Sequence, residues 1–114
     1  MPDNTQLDAA VFEIVVFKLR EDATHEQLLE ASGPVSDWVK QKPGFIERKL
    51  LRATEKNTYV EIVRWESLEQ AHEAAGEAES SPQCAPMFAL VDGADMTFLH
   101  ATSVLEAHAE VTIA

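Results

Sequence analysis

Four segments of the chain carry the short, apolar pattern rich in β-branched residues that is typical of strands. They lie at residues 9–19, 45–53, 58–65 and 95–105, and turn-forming residues separate them. In the first segment both alternate sets of side chains are largely apolar, which predicts a strand covered on both faces. Only the polar residues 54–57 separate the second and third segments, so these two are predicted to pair as an antiparallel hairpin.

Helical spacing of apolar residues fills the gap between the first two strands. Thr24 and Gln27 have the form of a capping box, in which each side chain accepts a hydrogen bond from the other residue's backbone N–H. The helix is expected to run to Lys42-Pro43-Gly44. Because proline has no backbone N–H, the Gly33-Pro34 pair in the middle predicts a kink or a restart.

A second helix is predicted after the third strand. Ser67 and Gln70 form another capping box, and an alanine-rich stripe continues the helix to about Glu79. A further short helix is expected over residues 82–91. Asp92-Gly93 is then expected to turn the chain into the last strand.

The order of these elements defines the predicted fold class. The sequence βαββαβ predicts an α+β fold of the ferredoxin-like kind, with a four-stranded antiparallel sheet and the helices on one of its faces. The 114 residues fit one domain, placed at residues 9–106. Residues 1–8 are expected to form a disordered tail. Residues 107–114 are expected to form a C-terminal tail, either loose or added to a partner's sheet.

The sheet face that the helices leave free is predicted to pack against another surface. Alternation along the strands assigns it an apolar set, namely Val11, Val15, Phe17, Tyr59, Val63, Trp65, Phe98 and Val104. A patch of this size favours association, and a second copy packed sheet to sheet uses one surface twice. The sequence therefore predicts a homodimer, with a ligand or a different chain as the alternative cover.

The charge balance argues against nucleic acid and anionic membranes as partners. The chain has 20 acidic and 9 basic residues, a net charge of −11, whereas both polyanions need basic surfaces. The first residues lack the basic and apolar regions of a signal peptide. Cys84 is the only cysteine and so forms no intramolecular disulfide, which fits a cytoplasmic protein. No familiar zinc or calcium motif is present, so no metal is expected.

Four stretches of sequence match the pattern of known proteins. They are FEIVVF at residues 12–17, KPGF at 42–45, YVEIVRWESLEQA at 59–71 and MFALVD at 87–92. On these stretches, within a match that spans residues 9–105, the chain resembles the dimeric α/β-barrel superfamily. Within that superfamily it is similar to the antibiotic-biosynthesis-monooxygenase-like and stress-responsive barrel families.

This resemblance implies a function as well as a fold. In such enzymes each protomer's sheet and helices enclose an apolar pocket, and the monooxygenases oxidise polycyclic phenols through the substrate's own carbanion, without metal or flavin. Relatives that degrade haem have a Trp at the position of Trp65. They also have a first-strand Asn that this chain lacks, and a His that lies farther on than His72. The resemblance therefore implies a cofactor-independent monooxygenase-like enzyme for a small aromatic or polyketide-like compound. The alternative is a non-catalytic small-ligand-binding or stress-related accessory dimer.

Three polar side chains interrupt the apolar strands and form the candidate catalytic group: Glu13, Glu61 and His100. By alternation each shares a strand face with apolar residues, so the three can converge in a half-buried space. Burial raises the pKa of carboxylates and histidine titrates near neutrality, which suits removal of a substrate proton. The candidate pocket residues are Tyr59, Val63, Trp65 and Phe98.

Structural roles are open for the same residues. The two glutamates have candidate ion-pair partners on neighbouring strands, namely Arg48, Lys49 and Arg64. His100 can equally be a core or interface histidine, and the aromatic pocket residues can equally be core. A buried Glu13 or Glu61 without a Lys or Arg partner would favour an enzyme. Two paired carboxylates at an exposed strand edge would favour a binding or structural protein.

Overall fold

A computed structural model describes residues 10–110. In chain order the elements are β1 (Val11–Leu19), α1 (His25–Val39), β2 (Phe45–Arg52), β3 (Thr58–Trp65), α2 (Leu68–Ala78), α3 (Ala85–Phe88) and β4 (Val91–Thr102). The strands form one antiparallel sheet in the order β2-β3-β1-β4. This confirms the predicted α+β, ferredoxin-like βαββαβ fold. The predicted tail at residues 1–8 and the end of the C-terminal tail, 111–114, lie outside the described residues.

The helices cover one face of the sheet, called here the covered face. It carries alternate residues of the two central strands, and their apolar members are almost fully buried. They pack against Leu28 and Val35 of α1, Ala71 and Ala74 of α2, and Met87 of α3. The buried residues of the two strands are Val11, Val15, Phe17, Leu19, Tyr59, Val63 and Trp65.

This arrangement corrects the face assignment made from the sequence. The strand residues from Val11 to Phe98 that the sequence assigned to the face without helices lie instead on the covered face. Val104, the last of that set, lies beyond β4 with 95% of its surface exposed. The face without helices, called here the open face, has its centre at Ile14, which pairs with Ile62 and Leu99. The error has a physical cause: both alternate sets of β1 are apolar, so alternation alone does not say which set the helices cover.

Both helix starts lie where the capping residues predict. The Thr24 hydroxyl accepts a hydrogen bond from the Gln27 N–H at 3.1 Å, and the Gln27 side chain accepts one from the Thr24 N–H at 2.9 Å. At Ser67 only half of the capping box forms: its hydroxyl accepts from the Gln70 N–H at 3.2 Å. Helix α1 passes through Pro34 without a restart and ends at Val39, before Lys42.

The last strand begins earlier than its pattern predicts. Val91 pairs with Leu19 and Asp92 with Lys18, whereas the next pair of the ladder joins Met96 to Phe17. Residues 93–95 therefore form a bulge within β4, where a turn before the strand was expected. Because Val91 joins the sheet, α3 is limited to four residues. The strand ends at Thr102, before Leu105.

Candidate active site

A cavity of about 480 Å³ lies between the covered face and helices α2 and α3. Its size is within the range of roughly 300–1,000 Å³ that is typical of small-molecule sites. Alanines of α2 leave this space open because they carry no long side chain. Most of the lining is apolar, from Val15, Phe17, Ala75, Ala78, Met87, Phe88, Val91, Met96 and Phe98, and its polar members are Glu13, Glu61 and Glu79.

A smaller cavity of about 50 Å³ adjoins the first and shares Glu13 and Glu61 with it. It reaches under α1, where Val35, Trp38 and Val39 line it, and it extends to Val63, Trp65 and Arg48. The two glutamates thus stand on the wall that both cavities share. The wall between the two cavities therefore carries both acidic residues of the candidate catalytic group, Glu13 and Glu61.

Strand pairing explains why the predicted group comes together. Glu13 pairs directly with His100 of β4, and Glu61 pairs with Val15, two residues along β1 from Glu13. Residues two apart on a strand lie on the same face. All three side chains therefore share one face of the sheet, and it is the covered face, whereas the sequence had assigned their apolar neighbours to the face without helices.

Arg48 forms a buried ion pair with Glu61. Its Nε donates to Glu61 Oε2 at 2.6 Å, and both side chains are almost buried. Nη1 donates to the Ser32 carbonyl at 3.2 Å and to the Ser36 hydroxyl at 2.8 Å, while Nη2 contacts Met87 Sδ at 3.4 Å. Arg48 thus ties β2 to α1 and α3, and one of the ion pairs considered from the sequence is present.

Glu13 has a different environment. Its side chain is 12% exposed, and within residues 10–110 no Lys or Arg forms a salt bridge with it. Burial, followed by the charge of Glu61, raises its pKa from the ordinary value of 4.5 to about 7, while the nearby Trp65 indole acts in the opposite direction. That indole N–H has no partner with hydrogen-bond geometry in the described region. A carboxylate whose pKa lies near neutral pH is suited to act as a general base.

His100 lies against Glu13. Its Nε2 is 3.5 Å from Glu13 Oε1, and neither atom has a hydrogen-bond partner among the described residues. Its ring packs edge-to-face on Phe98 and on His72, with centroid distances of 5.2 and 4.8 Å. Burial and then the His72 charge lower the pKa of His100 from 6.5, so at neutral pH its imidazole is uncharged.

The predicted pocket residues divide into three groups. Phe98 lines the larger cavity, while Val63 and Trp65 line the smaller one. Tyr59 lines neither: it lies in the core, stacked on Phe17, with its hydroxyl 2.7 Å from His25 Nδ1. The expectation that it belongs to the pocket is corrected, because its ring stacks on Phe17 and its hydroxyl lies against His25, which place it in the core.

Sequence reasoning missed two side chains near the site. Arg48 entered it only as a candidate ion-pair partner, and His72 only in the comparison with the histidine of haem-degrading relatives. A signal for His72 exists, since it lies three residues before Ala75, which lines the larger cavity, and residues three apart share a helix face. Met87 and Phe88, from the predicted short helix, also line the larger cavity.

The donor set for a metal ion is absent from the described part of the chain. Residues 10–110 contain no group of three or more His, Cys, Asp or Glu side chains arranged to hold a metal. Over the same residues, no helix is both long and apolar enough to cross a membrane.

Comparison with known proteins defines the class of fold. No family model and no curated protein matches the sequence. Solved structures do match, and they include antibiotic-biosynthesis-monooxygenase-like proteins. The fold is therefore the ferredoxin-like α+β fold found in these proteins, and the resemblance seen in the sequence is confirmed at the level of fold.

Three of these structures show the extent of the likeness. A variant of SnoaB, a cofactor-independent oxygenase from Streptomyces nogalater, matches with a TM-score of 0.72 and 18% identity, over 86% of this chain and 96% of that one. A monooxygenase from the gene ActVA-Orf6 of Streptomyces coelicolor, in complex with nanaomycin D, matches with 0.66 and 20%, over 90% and 95%. A conserved protein from Methanosarcina mazei matches with 0.66 and 8%, over 85% and 95%. These identities establish a shared fold.

Proposed function

We propose that this protein is a cofactor-independent monooxygenase-like enzyme that acts on a small aromatic or polyketide-like compound. The observation that carries the proposal is Glu13, a carboxylate on the wall of an apolar cavity with no Lys or Arg partner in the described region. Such a group costs stability to bury, so its presence beside a cavity favours a chemical role. The described functions of SnoaB and of the ActVA-Orf6 monooxygenase support the same reaction class.

In the proposed reaction Glu13 is the general base. Its carboxylate removes a proton from an acidic C–H of the bound phenol, and the resulting carbanion is delocalised over the aromatic rings. The carbanion adds dioxygen, and reprotonation gives a hydroperoxide. Loss of the remaining C–H proton and cleavage of the O–O bond then release water and leave a carbonyl. One oxygen atom enters the product, the other enters water, and the substrate supplies all the electrons.

The surroundings of Glu13 fit this role. Apolar walls exclude water and strengthen electrostatic interactions inside the cavity. Glu61 raises the pKa of Glu13 by its charge, which makes the Glu13 carboxylate a stronger base. Because Arg48 binds Glu61, we assign Glu61 this electrostatic effect and Glu13 the proton transfer.

Glu13→Gln is expected to lower oxygen uptake by 10²–10⁴-fold, roughly the contribution of a general base. The probe is 1,8-dihydroxyanthrone, a tricyclic phenol with an acidic methylene, measured with an oxygen electrode and by the oxygen-18 content of the product. Glu47→Gln, on an exposed position of β2, is the matched control and should retain the wild-type rate.

The outcomes separate the two classes of function. An unchanged rate in Glu13→Gln would exclude Glu13 as the base and overturn the proposal. Wild-type protein that is stabilised by the phenol against heat, yet consumes no oxygen above the background, would favour the non-catalytic ligand-binding alternative. Ligand stabilisation is sensitive enough for this purpose, since binding at 100 times Kd adds about 2.7 kcal/mol.

We also propose that the protein is a homodimer through the open face. Ile14, Ile62 and Leu99 lie side by side at its centre, and an apolar sheet face favours packing against a second copy. Ile14→Lys is expected to convert a dimer of about twice 12.6 kDa into a monomer in sedimentation equilibrium. Leu29→Lys, at a 54% exposed position of α1, is the control. A monomeric wild type, or an Ile14→Lys variant that remains dimeric, would contradict this.

A further inference from the structure

Glu13 and His100 form an isolated pair of titratable groups beside the cavity. They are direct partners in the β1–β4 ladder, and their side chains are 12% and 14% exposed. Glu13 Oε1 and His100 Nε2 approach to 3.5 Å, and both atoms are buried without a hydrogen-bond partner in the described region. A carboxyl oxygen and an imidazole nitrogen in this position can share one proton.

The other polar groups around Glu13 are unsuited to take a proton from it. The Trp65 indole N–H is a donor only, and Arg48 offers only N–H donors, which already bond to Glu61, Ser32 and Ser36. Glu61 already accepts the Arg48 hydrogen bond, and its charge opposes that of Glu13. His100 is the remaining neighbour, and its Nε2 has no hydrogen-bond partner among the described residues. A neutral imidazole has one nitrogen that can accept a proton.

His100 also connects Glu13 to an exposed residue. Glu13 lines both cavities, whereas His100 lines neither. The His100 ring packs edge-to-face against His72, an exposed residue of α2. A proton that leaves Glu13 through His100 therefore reaches a side chain that lies outside the cavity lining and contacts an exposed residue.

We propose that His100 accepts the proton that Glu13 has taken from the substrate and exchanges it with solvent. This inference rests on the proposed function, in which Glu13 is the base. In the step, the Glu13 O–H bond breaks and a bond from the proton to His100 Nε2 forms, which leaves a carboxylate and an imidazolium. The imidazolium then gives one proton to a buffer base, and both side chains return to their starting forms.

Burial and the neighbouring His72 disfavour the imidazolium form of His100. Of the other charged groups near the pair, Glu61 on β3 is bonded to Arg48, and Glu79, just beyond α2, lines the larger cavity. A protonated His72 opposes protonation of His100. His100 is therefore suited to pass a proton on and unsuited to hold it, while Glu13 remains the more basic of the two.

The first experiment follows exchange without oxygen. Under anaerobic conditions in D₂O, wild-type protein should exchange the methylene protons of 1,8-dihydroxyanthrone for deuterium, as observed by NMR. His100→Leu should slow this exchange at least tenfold, and added imidazole should restore it. His100→Gln is the second variant, and His108→Gln, on an exposed position beyond the end of β4, is the control. Unchanged exchange in both His100 variants, or no rescue by imidazole, would overturn the proposal.

The second experiment needs no substrate, so it distinguishes failure of this inference from failure of the proposed function. NMR titrations should show reciprocal shifts: Glu13→Gln moves the His100 titration to lower pH, and His100→Leu moves the Glu13 titration to higher pH by a similar amount. His108 should titrate identically in all variants. If neither shift occurs, the proton pair is wrong even where oxygen uptake is seen. If both occur in a protein that neither exchanges nor oxidises the phenol, the pair stands and the proposed function fails.

Discussion

Arg48→Met is expected to destabilise the protein by about 3–5 kcal/mol, the usual cost of removing one partner from a buried ion pair. The change leaves Glu61 in a site where its side chain is 14% exposed. It also removes the donors for the Ser32 carbonyl and the Ser36 hydroxyl. Urea unfolding at pH 7 measures the loss. At roughly 4 °C per kcal/mol for a domain of this size, Tm should fall by more than about 10 °C.

Two further variants show whether the loss of stability comes from breaking the buried Arg48–Glu61 ion pair or from removing a positive charge alone. Arg48→Met combined with Glu61→Leu should recover most of the stability, because two apolar side chains replace a buried ion pair at little net cost. Lys18→Met breaks the exposed Lys18–Asp95 pair, with 49% and 62% of the side chains exposed, and should cost less than about 1 kcal/mol. A single Arg48→Met variant as stable as Lys18→Met would contradict the assignment.

The position of Arg48 shows where prediction from sequence ends. From Phe45, simple alternation places Glu47 and Lys49 on the covered face and Arg48 on the open one. The β2–β3 pairing instead shifts register between Phe45 and Glu47, so Arg48 lies under α1. A bulge depends on how two strands pair in three dimensions, and no local pattern in β2 predicts it.

The same reasoning explains what was predictable about the site. The fold class followed from element order, and the common face of Glu13, Glu61 and His100 followed from alternation within each strand. The direct pairing of Glu13 with His100 did not, because the bulge at residues 93–95 sets the register of β4 against β1. The cavity itself depends on the alanines of α2, whose pattern predicted only an inward-facing stripe.

Glu13→Gln is expected to stabilise the protein at pH 8 by about 2–3 kcal/mol, the second large effect, and to have little influence near pH 4.5. In the folded protein the pKa of Glu13 is about 7, against an ordinary value of 4.5. Between these values the folded state retains a proton that the unfolded state releases. Stability therefore falls as pH rises through this range, by up to about 1.4 kcal/mol per pH unit, and the penalty is complete above pH 7.

Glutamine keeps the shape of the side chain and cannot ionise, so the variant lacks this penalty. Urea unfolding at pH 5, 6, 7 and 8 should show the difference between variant and wild type growing with pH, while Glu47→Gln, at an exposed site, should follow the wild type. His100, whose pKa is lowered, gives stability the opposite slope, so the comparison is repeated in a His100→Leu background, where this contribution is absent from both proteins. A Glu13→Gln variant that is no more stable than wild type at pH 8 would show that ionised Glu13 does not lower the free energy of unfolding. A variant that gains stability while losing oxygen uptake would show that the fold retains Glu13 for its chemistry, at the expense of its own stability.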